Sequence, residues 1–131
     1  MSSTGLGSYR AVRNYGSLAD ASPQQVVQLM LDTLLARILE ARGHLERSEI
    51  AAKGEKVGKA IGILEGLLLS LDLERGGEIA ANLQRLYDYS VRTLLKANLE
   101  NRPELFDEVA DLVRTLKAGW EGIGEHGGAT R

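Results

Sequence analysis

Histidine, the residue type that would carry acid–base or metal chemistry at neutral pH, occurs twice in 131 residues, at His44 and His126, and cysteine does not occur. A di-iron helical bundle needs paired Glu-x-x-His motifs. Here Glu40 stands four residues before His44, no second copy follows, and His126 falls in a Gly-rich tail. The lack of cysteine removes thiol nucleophiles, thiolate metal sites and disulfides. No Gly-x-Ser-x-Gly elbow, phosphate-cradling loop or strand-borne Gly-x-Gly-x-x-Gly occurs either. The expectation is therefore no catalytic residue, no metal and no cofactor, with His44 solvated near a helix end.

The residues with unusual spacing are glycines. Gly54, Gly58, Gly62 and Gly66 recur every four residues, and each interior helical glycine costs roughly 0.8 to 1 kcal/mol relative to alanine. They fall outside the apolar stripe of their own segment, and Leu69 and Leu73 continue their side. Two readings stay open: the glycines admit another helix of the same bundle at close range, or they form the floor of a groove for a partner chain. In the next segment Ala80, Tyr87, Val91, Leu95 and Asn98 form a second stripe beside the main apolar one, read either as the margin of a broad core contact or as the other wall of that groove. A helix with two apolar faces requires a further covering element.

The elements that must position these residues are helical. Two prolines, few aromatics and long Leu- and Ala-rich runs give strands almost no support. Ser22-Pro23-Gln24-Gln25 carries an N-cap serine, proline at the first helical position and glutamine placed for a capping box. Val27, Met30, Leu31, Leu34, Ile38, Ala41 and Leu45 then share a face. The second helix presents Val57, Ala60, Ile61, Leu64, Leu67, Leu68 and Leu71, with Arg75-Gly76-Gly77 as its stop. The third presents Ile79, Leu83, Leu86, Ser90, Leu94 and Ala97 and ends before Pro103. The fourth presents Leu105, Val109, Leu112, Val113, Leu116, Trp120 and Ile123. Short connections make this an all-α, antiparallel four-helix bundle with helices at about 23–45, 53–73, 78–100 and 103–122, spanning 17–123 as a single domain. Residues 1–16, rich in Ser and Gly, read as a loose N-terminal arm or short helix bearing Leu6, Tyr9 and Val12, and 124–131 as a frayed tail.

Sixteen basic and eighteen acidic residues give a net charge of −2. Neither phosphate neutralisation nor a polybasic patch is available, so nucleic acid and anionic lipid are not expected partners. Residues 1–16 hold no signal-peptide-like apolar run, and the most apolar stretch, 61–73, is interrupted by Glu65 and Asp72. A cytoplasmic chain without membrane insertion is expected.

Taken in order, Ala21-Ser22-Pro23, Lys59-Ala60, Leu71-Asp72, Gly77-Glu78-Ile79-Ala80, Asn82-Leu83, Leu86-Tyr87-Asp88-Tyr89, Ala97-Asn98 and Trp120 resemble the flagellin-specific export chaperones of the FliS type, over about residues 9–123. The resemblance implies a non-catalytic cytoplasmic bundle that binds the disordered C-terminal segment of new flagellin, prevents premature polymerisation and delivers it to the flagellar type III export gate. It leaves open an anti-sigma factor or a co-chaperone as an additional partner. It further implies that Tyr9, with Leu6 and Val12, forms an autoinhibitory plug over the binding surface. Two positions depart from the pattern: Leu31 stands where such chaperones usually have an aromatic residue, and Ser90 where they usually have methionine. A disordered client would supply the covering element that Gly58, Gly62, Gly66, Leu69, Leu73 and the third-helix stripe lack. The competing reading is a structural or regulatory bundle that self-associates through the same surface.

Overall fold

The computed structural model describes residues 22–123. The arm residues Leu6, Tyr9 and Val12, and the tail with His126, lie outside them. Four helices follow in order: α1 (Pro23–Glu46), α2 (Ile50–Leu69), α3 (Leu73–Glu100) and α4 (Pro103–Ile123). α1 and α3 each pack against both α2 and α4, so the helices occupy the corners of a square in chain order. Polar ties show that the neighbours are antiparallel. Lys117 Nζ meets Asp32 at 2.7 Å and Arg42 Nε meets Asp107 at 3.0 Å across α1/α4, while Lys56 reaches Glu40 across α1/α2.

α1 begins as the local chemistry dictates. Ser22 Oγ accepts the Gln25 amide at 3.2 Å and Gln25 Oε1 accepts the Ser22 amide at 2.9 Å, a closed capping box with Pro23 in the first turn. Its buried face is Val27, Met30, Leu31, Leu34, Ile38 and Ala41, with Leu45 half-buried. The far end of α4 is tied to this start by Trp120, whose Nε1 donates to the Gln24 carbonyl at 3.0 Å.

The boundary between the second and third helices differs from the expected one. α2 ends at Leu69, not at 73, because Asp72 is already the N-cap of α3: its backbone is extended and its Oδ1 accepts the Arg75 amide at 3.0 Å. Leu73 therefore opens α3 and does not continue α2. Arg75-Gly76-Gly77 closes a single turn, after which Gly77 breaks the helical path with φ 51° and ψ −126°. That conformation is open to glycine at little cost. The glycines mark a kink where a C-terminus was expected.

The core also differs at particular positions. Ile63, Phe106 and Ala110 are buried although none stood in an expected stripe. Ile79, expected inside, is half exposed beside the kink, and Ile61 and Leu68 lie at the core's edge. Ser90 is buried with its hydroxyl returned to the Leu86 carbonyl at 2.8 Å.

Candidate functional site

α3 has two distinguishable flanks. The Tyr89 hydroxyl donates to Glu108, so that flank faces α4. Lys53 Nζ donates to the Asn98 carbonyl at 2.8 Å, so the opposite flank faces α2. At about 100° per residue, Val91, Leu95 and Leu99 follow Asn98 on the α2 side and turn progressively outward. Val91 is half-buried, Leu95 is 52% exposed and Leu99 83%. On α2 the matching side carries half-buried Ile61 and Leu68, bare Gly54 and Gly58, and Leu69, which is 78% exposed. With Leu69 exposed on α2 and Leu95 and Leu99 on α3, the seam forms an open apolar face. On α3 the apolar wall runs from Val91 to Leu99, eight residues of helix or about 12 Å.

The residues assigned to a groove from sequence divide into three groups. Gly58, Leu69, Val91, Leu95 and Asn98 line the open seam, and Leu73 is exposed in the first turn of α3, ahead of the kink at Gly77. Ala80 and Tyr87 are buried and belong to the core cluster; they are corrected here to packing residues. Their stripe sits only a fraction of a turn from the core centre, and the α2–α3 contact closes over it. The glycines divide too. A Cβ on Gly54 or Gly58 would meet nothing within 4 Å, whereas on Gly66 it would stand 3.0 Å from Met30 Cε of α1. Gly66 thus serves helix packing, and Gly62 is buried. Leu99 and Ile79 were missed as surface residues, because wheel position alone does not say where a neighbouring helix stops.

One polar arrangement holds the seam at its α2 N-terminal end. Lys53 is buried yet donates both to the Asn98 carbonyl and to the Asn101 side chain, at the point where Asn101 ends α3 in a left-handed conformation. An ammonium group among the last carbonyls of a helix complements its negative end. It also fixes α2 against α3 where the exposed leucines begin.

A second polar cluster sits where α1 turns into α2. His44 lies in the last turn of α1 with Nδ1 2.7 Å from Glu49 Oε1, and Arg47 Nε is 3.0 Å from the same oxygen. Hydrogen bonds from His44 and then Arg47 hold the Glu49 carboxyl below its usual range. The adjoining shallow depression, about 470 Å³ between Leu39, Glu40, Gly43, His44, Arg47 and Lys56, has mixed charge. Among the described residues no three His, Asp or Glu side chains are placed to hold a metal ion, and no helix is long and apolar enough to cross a membrane.

Comparison with known proteins assigns the family. The family described as "Flagellar protein FliS" matches residues 6–127. The chain belongs to the FliS family. It is 46% identical over 115 residues to the flagellar secretion chaperone FliSB of Pseudomonas aeruginosa, covering 88% of this chain and 91% of that protein. It is 40% identical over 121 residues to the flagellar secretion chaperone FliS of Salmonella typhimurium, covering 92% and 90%. The fold matches a crystal structure of a bacterial flagellar chaperone with a TM-score of 0.75 over 92% of this chain and 98% of that one, at 15% identity. Among the described residues, four helices and an exposed apolar seam are what this FliS-family chain brings to a chaperone family.

Proposed function

We propose that this chain is a cytoplasmic export chaperone that binds the disordered C-terminal segment of flagellin on the α2/α3 seam, prevents premature polymerisation and delivers the client to the flagellar type III export gate. The observation that carries this reading is the exposure of Leu69, Leu95 and Leu99 along one seam of a chain in a family of flagellar secretion chaperones. Fully burying one such side chain is worth about 1.5 to 3 kcal/mol, so covering three of them supplies part of the free energy that ordering a disordered client costs, the client's own apolar burial supplying the rest. Leu6, Tyr9 and Val12 are read as a competitor for the same surface in the free protein.

Titration calorimetry of the full chain with a peptide of the flagellin C-terminal segment tests the proposal. A 1:1 complex with a negative heat-capacity change and only shallow salt dependence is expected. No heat of binding, or binding abolished by moderate salt, would refute it. Light scattering on the free protein covers the alternative: a dimer that the peptide fails to dissociate would assign the seam to a second copy of this chain.

A further inference from the structure

Resting on the reading of the seam as the client site, we propose that the client segment is amphipathic, with carboxylates along the edge that faces α3, and that three cations of α3 fix its orientation. Between residues 79 and 99, α3 carries Arg85, Arg92 and Lys96 against one carboxylate, Asp88. Spacings of seven and four residues put the three cations on one narrow exposed strip, immediately outward of Leu95 and Leu99. Among the described residues none of the three is in an ion pair, although Asp88 is three residues from Arg85 and four from Arg92, and Glu100 is four from Lys96. Helical partners usually meet at those offsets. Arg85 instead donates to the Asn82 side chain. Cations on α1 and α4 behave differently: Arg37, Arg42, Arg114 and Lys117 each pair with a carboxylate. The unpaired cations of α3 thus gather beside the exposed leucines.

The opposite wall has the other sign. On the side of α2 that faces the seam, Gly54, Gly58, Ile61, Leu68 and Leu69 are uncharged, the Lys53 ammonium is buried against the end of α3, and the exposed ionised residue is Glu65. A segment lying in the seam with its acidic edge toward α3 meets Arg92 and Lys96 and keeps its carboxylates away from Glu65. The reversed segment loses the first interaction and incurs like-charge repulsion. Charges arranged in this way act on orientation and selectivity more than on affinity, which the leucines supply.

The test uses the full chain and two synthetic amphipathic peptides with one leucine pattern, one edged with glutamate and one with lysine, alongside the flagellin C-terminal peptide. The glutamate-edged peptide should bind about tenfold tighter or more in low salt, and the gap should shrink below about threefold near 0.5 M salt as the charges are screened. Arg92→Glu combined with Lys96→Glu should close or reverse that preference, and Arg92→Gln with Lys96→Gln should reduce it. Arg114→Glu on α4 should leave it unchanged. Equal binding of the two peptides in low salt, binding of neither, or a preference that survives the double reversal overturns the proposal. The flagellin peptide separates it from the reading beneath: tight flagellin binding with no peptide preference defeats the charge rule alone, and charge-selective peptide binding without flagellin binding defeats the client assignment alone.

Discussion

Lys53 and Tyr87 put two ionisable groups inside a bundle that has little polar material to receive them, and each leaves a measurable mark. The Lys53 ammonium is desolvated but donates to the Asn98 carbonyl and the Asn101 side chain. Lys53→Met keeps much of the aliphatic packing and leaves both acceptors unpaired, so urea unfolding should show a loss of about 1 to 3 kcal/mol. A value near zero would mean that water replaces the ammonium there and that the lysine does not pin α2 to α3. Tyr87 is perturbed by burial alone, which pushes its phenol up to about 12 from an ordinary value of 10. The core tolerates the neutral form, so the folded protein holds a proton that the unfolded chain releases near pH 10. The stability this contributes is complete below pH 10 and is lost as pH rises toward 12, by roughly 2 to 3 kcal/mol for a two-unit difference. Tyr87→Phe cannot ionise. Its unfolding free energy should track the parent below pH 10 and exceed it increasingly above.

At the scale of the helices, α2 separates the two uses of glycine. Gly58 is exposed with nothing near a notional Cβ, so Gly58→Ala should stabilise by the helix-propensity difference, about 0.8 to 1 kcal/mol, seen as a rise of roughly 2 to 6 °C in Tm. Gly58→Leu should also fold, yet it fills the seam beside Leu95 and should weaken client binding. Gly66→Leu should destabilise by about 1 to 3 kcal/mol instead, because its side chain meets buried Met30. Thermal melts of the three variants check all of this, and a stable Gly66→Leu would place that glycine on an open face. From sequence the four glycines are indistinguishable, since the drift of an i, i+4 row around the helix decides which faces α1, and that depends on where α1 packs. The start of α1 was legible because a capping box is local chemistry spelled in four residues. The end of α2 was not. Gly76-Gly77 reads the same whether it caps one helix or kinks the next, and only the extended Asp72 with its bond to Arg75 selects the kink. Ala80 and Tyr87 were misplaced for a related reason, because two stripes a fraction of a turn apart merge or separate according to how closely the neighbouring helix approaches.

At the scale of the molecule, the square of helices formed by the described residues leaves the α2/α3 seam exposed, and a segment of the chain with apolar residues can compete with a client for it. The arm proposed as competitor offers Leu6, Tyr9 and Val12 in a Ser/Gly/Arg-rich context. Burying a tyrosine and a leucine is worth roughly 3 to 5 kcal/mol, and ordering the arm costs about 1 kcal/mol or more per fixed residue, so the net bias toward a covered seam is small. Client affinity is then the intrinsic affinity reduced by the fraction of molecules with the seam free. Deleting residues 1–12 should remove that reduction and tighten binding of the flagellin peptide about fivefold to thirtyfold, on the order of 1 to 2 kcal/mol. Tyr9→Ala should recover part of the gain, since Leu6 and Val12 remain. Calorimetry on the three proteins, with circular dichroism to establish that each is folded, gives the answer by sign. Tighter binding makes the arm a competitor. Weaker binding by a folded deletion variant makes it a clamp that holds the client against the leucines, in which case Tyr9→Ala should weaken binding as well.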